Sequence, residues 1–181
     1  MGVEALAIMS LLSPLENCLY AFFLGFALAC STMLGHELGA NRYHQAWSQS
    51  KVFLWLGTGV AVLVGIVLYL LREEIVPLFG KLNEQTLTNA IYVLAVLASA
   101  LCIKVFNTVA VIGVLRSGGD IKFAALFNLF CMWCIGIPLV YLSALQWLWP
   151  LYLVYLISMT EEVVKAGLAI YRVLQRKWLN N

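Results

Sequence analysis

Long apolar runs separated by short polar stretches make up the chain. A helix that crosses a bilayer needs about 20 mostly apolar residues. Five runs meet that length: about 5–34, 52–71, 87–115, 123–145 and 150–171. The first is too long for an upright span and contains Pro14. It is therefore expected to tilt, or to break at the proline behind a helical approach. The connecting stretches differ in character. Residues 36–51 are polar and follow Gly35, and Gly39 lies near their start. Residues 72–85 carry mixed charge, and Ile75-Val76-Pro77-Leu78-Phe79 among them suits a short amphipathic turn in the interface. Residues 146–150 are uncharged and hold Trp147 and Trp149, which favour the headgroup layer.

The shortest polar stretch is Arg116-Ser117-Gly118-Gly119-Asp120-Ile121-Lys122. Paired glycines end a helix readily. Arg116 before them and Asp120 after them suit a helix C-terminus and the next N-terminus, where backbone dipoles favour a cation and an anion. The stretch is expected to be a tight turn where two membrane helices meet water, acting as an inner hinge.

Composition narrows the class. Of 181 residues, 63% are hydrophobic and only 11% charged, where a soluble domain averages roughly 25% charged. The expected fold is all-α, a polytopic membrane bundle of five spans. Soluble enzymes and nucleic-acid-binding proteins are excluded. Residues 1–10 lack the basic region of a secretory signal. With five spans, Arg42, Lys51, Arg116, Lys122, Arg172, Arg176 and Lys177 fall on one side and Arg72 and Lys81 on the other. Basic connections stay in the cytoplasm, so the 116–122 turn and the C-terminus are expected inside and the N-terminus outside. An outside N-terminus without a signal leads to the expectation that a further span precedes residue 1.

Ionisable groups inside a span are costly and mark candidate chemistry. Lys104 lies about 12 residues before Arg116, roughly 18 Å into the membrane, and calls for an acidic partner. Glu161 and Glu162 are also near mid-membrane, and adjacent helical residues point about 100° apart. One of them is expected to meet Lys104 and the other to line a cavity, Glu162 being favoured for the cavity. Lys165 is one turn from Glu161, so a local pair is the competing reading. Asn107 shares a face with Lys104, and Asn128 is a second neutral polar residue within a span. Glu16, two residues after Pro14, is expected in water at the outer mouth. The five cysteines, Cys131-x-x-Cys134 included, read as apolar packing residues. His36, Glu37 and His44 lack metal-ligand spacing.

Four segments carry a resemblance. Gly113-Val-Leu-Arg-Ser-Gly-Gly-Asp-Ile-Lys122 followed by Trp133-Cys-Ile-Gly-Ile-Pro-Leu139 resembles multidrug and toxic compound extrusion (MATE) transporters. Gly35-His-Glu-Leu-Gly-Ala40, with Ala46 behind it, is similar to a signature of that family. So is the C-terminal end, with Glu161-Glu-Val-Val-Lys165, Tyr171-Arg172 and Arg176-Lys-Trp178. The resemblance implies a twelve-helix fold in two lobes, of which this chain matches the last five helices, the eighth to the twelfth. The chain then forms one incomplete lobe, and the missing N-terminal lobe or a second chain is its implied partner.

The implied function is secondary active export of organic, often cationic, compounds in exchange for protons or sodium, from the plasma membrane. No enzymatic step, cofactor or nucleic-acid partner is implied. Family members that use cations carry a carboxylate on the tenth helix, where this chain has Asn107. The implied substrate and ion pathway is then Lys104, Asn107, Asn128, Glu161 and Glu162, while Arg116, Gly118, Gly119 and Asp120 form the family-motif turn. A lipid-linked oligosaccharide flippase of the same superfamily, and a non-transporting subunit or truncated product, are the alternatives.

Overall fold

The structure is a computed structural model and describes residues 3–78 and 83–179; Phe79 and Lys81 lie outside the described residues. Every regular element among the described residues is helical. Helix α1 spans Val3–Gly39, α2 Tyr43–Leu70 and the short α3 Arg72–Leu78. Helix α4 spans Glu84–Leu115, α5 Ile121–Gln146 and α6 Leu151–Leu174. A single 3-10 turn, Lys177–Leu179, follows.

Helix α1 runs unbroken through Pro14 for 37 residues, so the expected break does not occur. A proline leaves the carbonyl four residues before it without its usual donor and crowds the preceding turn. Two hydroxyls hydrogen-bond in that turn: Ser10 Oγ donates to the Ala7 carbonyl at 2.9 Å and Ser13 Oγ to the Met9 carbonyl at 2.5 Å. Neither hydroxyl reaches the carbonyl of Ser10, the one that Pro14 leaves without its usual donor.

The polar 36–51 connection is far shorter than its composition suggests. Helix α2 begins at Tyr43, and only Ala40, Asn41 and Arg42 separate it from α1. Asn41 takes a positive φ of 58°, which lets the chain reverse that quickly. Polar residues 44, 45, 48, 49 and 51 belong to the amphipathic first two and a half turns, whose inward positions, Ala46 and Ser50, are fully buried.

Helix α4 is central. Its apolar window is 44% buried, against 22% in α1, α2 and α5. It packs on α1, α2 and α6, while α5 leans mainly on α6. Close approach to α2 depends on Gly65, where a Cβ would lie 2.6 Å from the Ala98 carbonyl oxygen. The last seven residues of α4, Val109–Leu115, widen into a π-helix. Gly113 in that stretch lies against Cys30 and the Ala27 carbonyl of α1. Helix α5 widens twice, at Met132–Gly136 and Leu142–Gln146. The first widening precedes Pro138, whose ring would clash with the carbonyl four residues earlier in a regular helix.

Helices α1, α2, α4 and α5 have the length and apolarity to cross a membrane. Helix α6 has comparable length, 24 residues, but carries Glu161, Glu162, Lys165 and Arg172. The chain is therefore a polytopic helical bundle of four to five membrane-length helices.

Apolar packing forms two clusters. One holds Ile8, Leu12, Val76, Val93, Leu94 and Leu97 at the end where α4 begins. The larger extends to the other end through Leu34, Ala46, Val114, Leu115, Val173 and Trp178. Leu15, Leu19 and Ile75 border both clusters.

Candidate functional site

Two charged clusters occur where these apolar clusters meet. Lys104 on α4 places its Nζ 2.5 Å from Glu16 Oε1 on α1 and 3.1 Å from the Tyr155 hydroxyl on α6. The Tyr155 hydroxyl also donates to Glu16 Oε1, at 3.2 Å. One acid, one base and one phenol thus tie three helices together. The partner of Lys104 is Glu16, not Glu161 or Glu162 as its depth and their position suggested. Glu16 is not free in water either, because unbroken α1 brings it one turn before Leu19 and Tyr20 on the wall facing Lys104.

The second cluster lies one turn further along α4. Asn107 Nδ2 donates to the backbone carbonyl of Glu162 at 2.9 Å and to its Oε2 at 2.7 Å. Two acceptors on one side fix the amide orientation, since the flipped amide would set oxygen against oxygen. Lys165 Nζ is 2.5 Å from Glu161 Oε1 and 3.4 Å from Glu162 Oε1. The local Glu161–Lys165 pair therefore exists, and Lys165 bridges both acids.

The register of α6 explains the division of labour. Tyr155 and Glu162 are seven residues apart, two turns, so both face α4. Glu161 points about 100° away, towards α5. There Gly136 leaves room for it, because a Cβ on Gly136 would run into the Glu161 carboxylate. The glycine of the Gly136-Ile-Pro138 segment thus serves an acid on the neighbouring helix.

Between the clusters lies a cavity of about 410 Å³. Glu16, Lys104, Asn107, Glu162 and Lys165 line it, together with Asn17, Thr108 and Asn128. Asn128 is exposed and forms the open wall on α5. Asn107 is 5% exposed, and its Oδ1 is buried without a hydrogen-bond partner. An isolated charge in such surroundings costs several kcal/mol, and pairing offsets that cost. Each cavity carboxylate has an ammonium neighbour, so an incoming cation must displace a lysine or share its oxygens. Sequence reasoning missed Glu16 and Tyr155 as members of the site. The spacing from Tyr155 to Glu162 was the available signal for one; the other stood out as a charge just after Pro14, but its depth did not, and the outer-mouth reading placed it in water.

The family-motif turn is separate from this cavity. Arg116 is exposed at the end of α4. Gly119 has a φ of 80° and makes the turn. Asp120 does not cap α5 with its side chain. It is 6% exposed and holds Arg172 through two bonds, from Nε at 2.5 Å and from Nη2 at 3.0 Å. Gly118 is buried against the backbone carbonyl of Trp178, where no Cβ would fit. The fully buried Trp178 donates its Nε1 to the Val173 carbonyl at 3.2 Å. The Gly118 and Asp120 side of the turn is thus covered by α6 and the C-terminal tail, while Arg116, Gly119 and Lys122 are exposed. Among the described residues no His, Cys, Asp and Glu cluster suits a metal ion, and all five cysteines are unpaired thiols.

Membrane-length helices enclosing a charged cavity have the build of a multi-pass membrane transport protein. Residues 1–142 match the protein family described as MatE. The chain belongs to that family of transporters. It is 22% identical over 179 residues to the uncharacterized transporter YisQ of Bacillus subtilis, covering 99% of this chain and 39% of that one. It is 30% identical over 131 residues to the probable multidrug resistance protein NorM of Bacillus thuringiensis, covering 71% of this chain and 28% of that one. It is 29% identical over 139 residues to multidrug and toxin extrusion protein 1 of Xenopus tropicalis, covering 77% and 24%. The chain thus spans between about a quarter and two fifths of the length of these relatives. No solved structure matches it.

Proposed function

We propose that the chain is part of a secondary active transporter that exports organic, often cationic, compounds in exchange for protons or sodium. The observation that carries this reading is the cavity between the Glu16–Lys104–Tyr155 and Asn107–Glu162–Lys165 clusters. Its volume falls within the range of small-molecule sites. Its carboxylates hold α1, α4 and α6 together through their lysine, tyrosine and asparagine partners. A proton or sodium ion arriving at Glu16 or Glu162 weakens those ties. Cation binding then biases the balance between inward- and outward-open states, as alternating access requires.

In this reading the chain supplies the eighth to twelfth of twelve helices in a plasma-membrane protein. The 116–120 turn and the C-terminus face the cytoplasm. The opposed helices come from further residues of the same polypeptide or from a second chain. The names of its relatives, multidrug resistance and multidrug extrusion proteins, support the substrate class.

The test is ethidium efflux from cells that lack their own pumps and carry the gene with its native upstream DNA. Efflux driven by an imposed proton or sodium gradient, and lost in Glu16→Gln and Glu162→Gln, is expected. Unchanged ethidium retention under both gradients would refute the export reading. Accumulation of lipid-linked sugars in a deletion strain with normal dye efflux would mark a flippase instead.

A further inference from the structure

A second feature lies outside the charged cavity, on the lateral face between α2 and α6. These helices flank α4 without packing on one another along their length. The trough between them has a volume of about 470 Å³. Phe106 of α4 contributes to its lining, Leu54 and Trp55 come from α2, and Ile170 and Leu174 from α6. The lining is almost wholly apolar; its polar groups are Lys51 at the rim and Thr58 further down.

A second, shallower depression of about 630 Å³ runs along the other side of α2, beside Val52 and Leu56. Lys51 and Trp55 border both troughs. Trp55 is 80% exposed and stands between them as a ridge. From Lys51 to Thr58 the trough descends roughly 10 Å along α2, at 1.5 Å per residue.

The rim of this face is positively charged. Lys51 Nζ lies 5.6 Å from the centre of the Trp47 ring and Arg176 Cζ lies 4.4 Å from it. Stacking on one indole holds both cations within reach of a single headgroup. Arg176 reaches this position because the chain turns there, with a φ of 55°, after α6 ends. The acids near this end are taken: Glu37 pairs with Arg42 and Asp120 with Arg172. Among the described residues neither Lys51 nor Arg176 pairs with a carboxylate.

The geometry points to a binding site for one anionic phospholipid on the outer face of α2. Its phosphate-bearing headgroup bridges Lys51 and Arg176, and its two acyl chains lie on either side of Trp55. Two basic side chains at the head of two apolar troughs match an amphiphile with one negative head and two tails. Basic pockets between membrane helices capture anionic headgroups in this way. A zwitterionic lipid fills the same troughs but gains less from the two cations. Its test reads lipid preference and not transport, so its failure is distinguishable from failure of the export reading.

The test uses the full chain in phosphatidylcholine vesicles that contain a minor share of brominated phosphatidylglycerol or brominated phosphatidylcholine. Bromine quenches nearby tryptophan fluorescence. Quenching by phosphatidylglycerol is expected at several-fold lower lipid fraction than by phosphatidylcholine, and Trp55→Phe should remove most of the difference. Lys51→Gln should weaken the preference about fivefold, a typical effect of one basic residue near a headgroup. Adding Arg176→Gln should abolish it. Arg116→Gln with Lys122→Gln removes the same charge at the same end of the bundle and should leave the preference intact. Equal quenching of the unmodified chain by both lipids overturns the proposal, and that comparison needs no variant to fold. Loss of preference in the Arg116 and Lys122 control also overturns it, because general surface charge would then be the cause.

Discussion

At the scale of single residues, the charged cavity rests on mutual neutralisation. Lys104 and Glu16 are only 25% and 32% exposed at their side chains. Replacing one leaves the other uncompensated, at a cost of roughly 1–3 kcal/mol for such a half-buried group. Lys104→Met is therefore expected to lower the melting temperature in detergent by several degrees. The double variant Lys104→Met, Glu16→Gln should recover most of the loss, and thermal unfolding of the two singles and the double checks the coupling. Additive losses would show that the pair does not interact. Lys104, Asn107 and Glu162 were legible in the sequence because polar groups stand out in apolar runs. Glu16 was not. The first run exceeds one span, so its position along the chain did not fix its depth. Asp120 misled for a related reason: the dipole argument is local, while its partner, Arg172, is 52 residues away.

At the scale of elements, glycines mark where backbones touch. Gly65 lets α2 approach the Ala98 carbonyl of α4. Gly65→Ala should push the two helices apart and destabilise the bundle by roughly 1–3 kcal/mol, read as a lower unfolding temperature. Gly118→Ala should act locally, since the obstructing group is the carbonyl of Trp178 in the tail. The tail is then expected to lift, with a red shift in tryptophan emission and faster proteolysis after Arg176, while the helix content stays unchanged. An unshifted spectrum and an intact tail would sink that account. The helices themselves were readable from hydrophobic runs and glycine-rich breaks. Their ends were less so: the polar 36–51 stretch hid an amphipathic helix start, because half its residues face away from the core. The π-helical segments carry no periodic signal, and only Gly113 and Pro138 hint at them.

At the scale of the whole molecule, the alternation of basic and neutral ends predicts the orientation proposed above. A cysteine placed at Lys122 in a chain without its native thiols should react with a membrane-impermeant maleimide only in opened cells. One placed at Trp147, at the other end of α5, should react in intact cells. The reverse pattern would overturn the orientation. Because the opposed helices of the proposed transporter are absent from these 181 residues, purified chain in vesicles is expected to move no ethidium under a proton or sodium gradient. Gradient-driven dye movement by the chain alone would show that five helices, single or paired as a dimer, suffice.

The widened end of α4 has one more consequence. Through Val109–Leu115 the backbone packs more residues into each turn than an α-helix does, as if one residue had been slipped into an ordinary helix. Removing a single residue there would restore the regular winding. Kept at its present length but wound as a regular α-helix, the same segment would rotate everything on one side of it by about 100° relative to the other. Lys104 and Asn107 lie before that point, and Gly118 and Asp120 after it. With all seven residues in regular winding the chain would therefore keep its charged cavity or its covered turn, but not both. The surplus residue is the phase adjuster that lets one helix serve two differently oriented contacts.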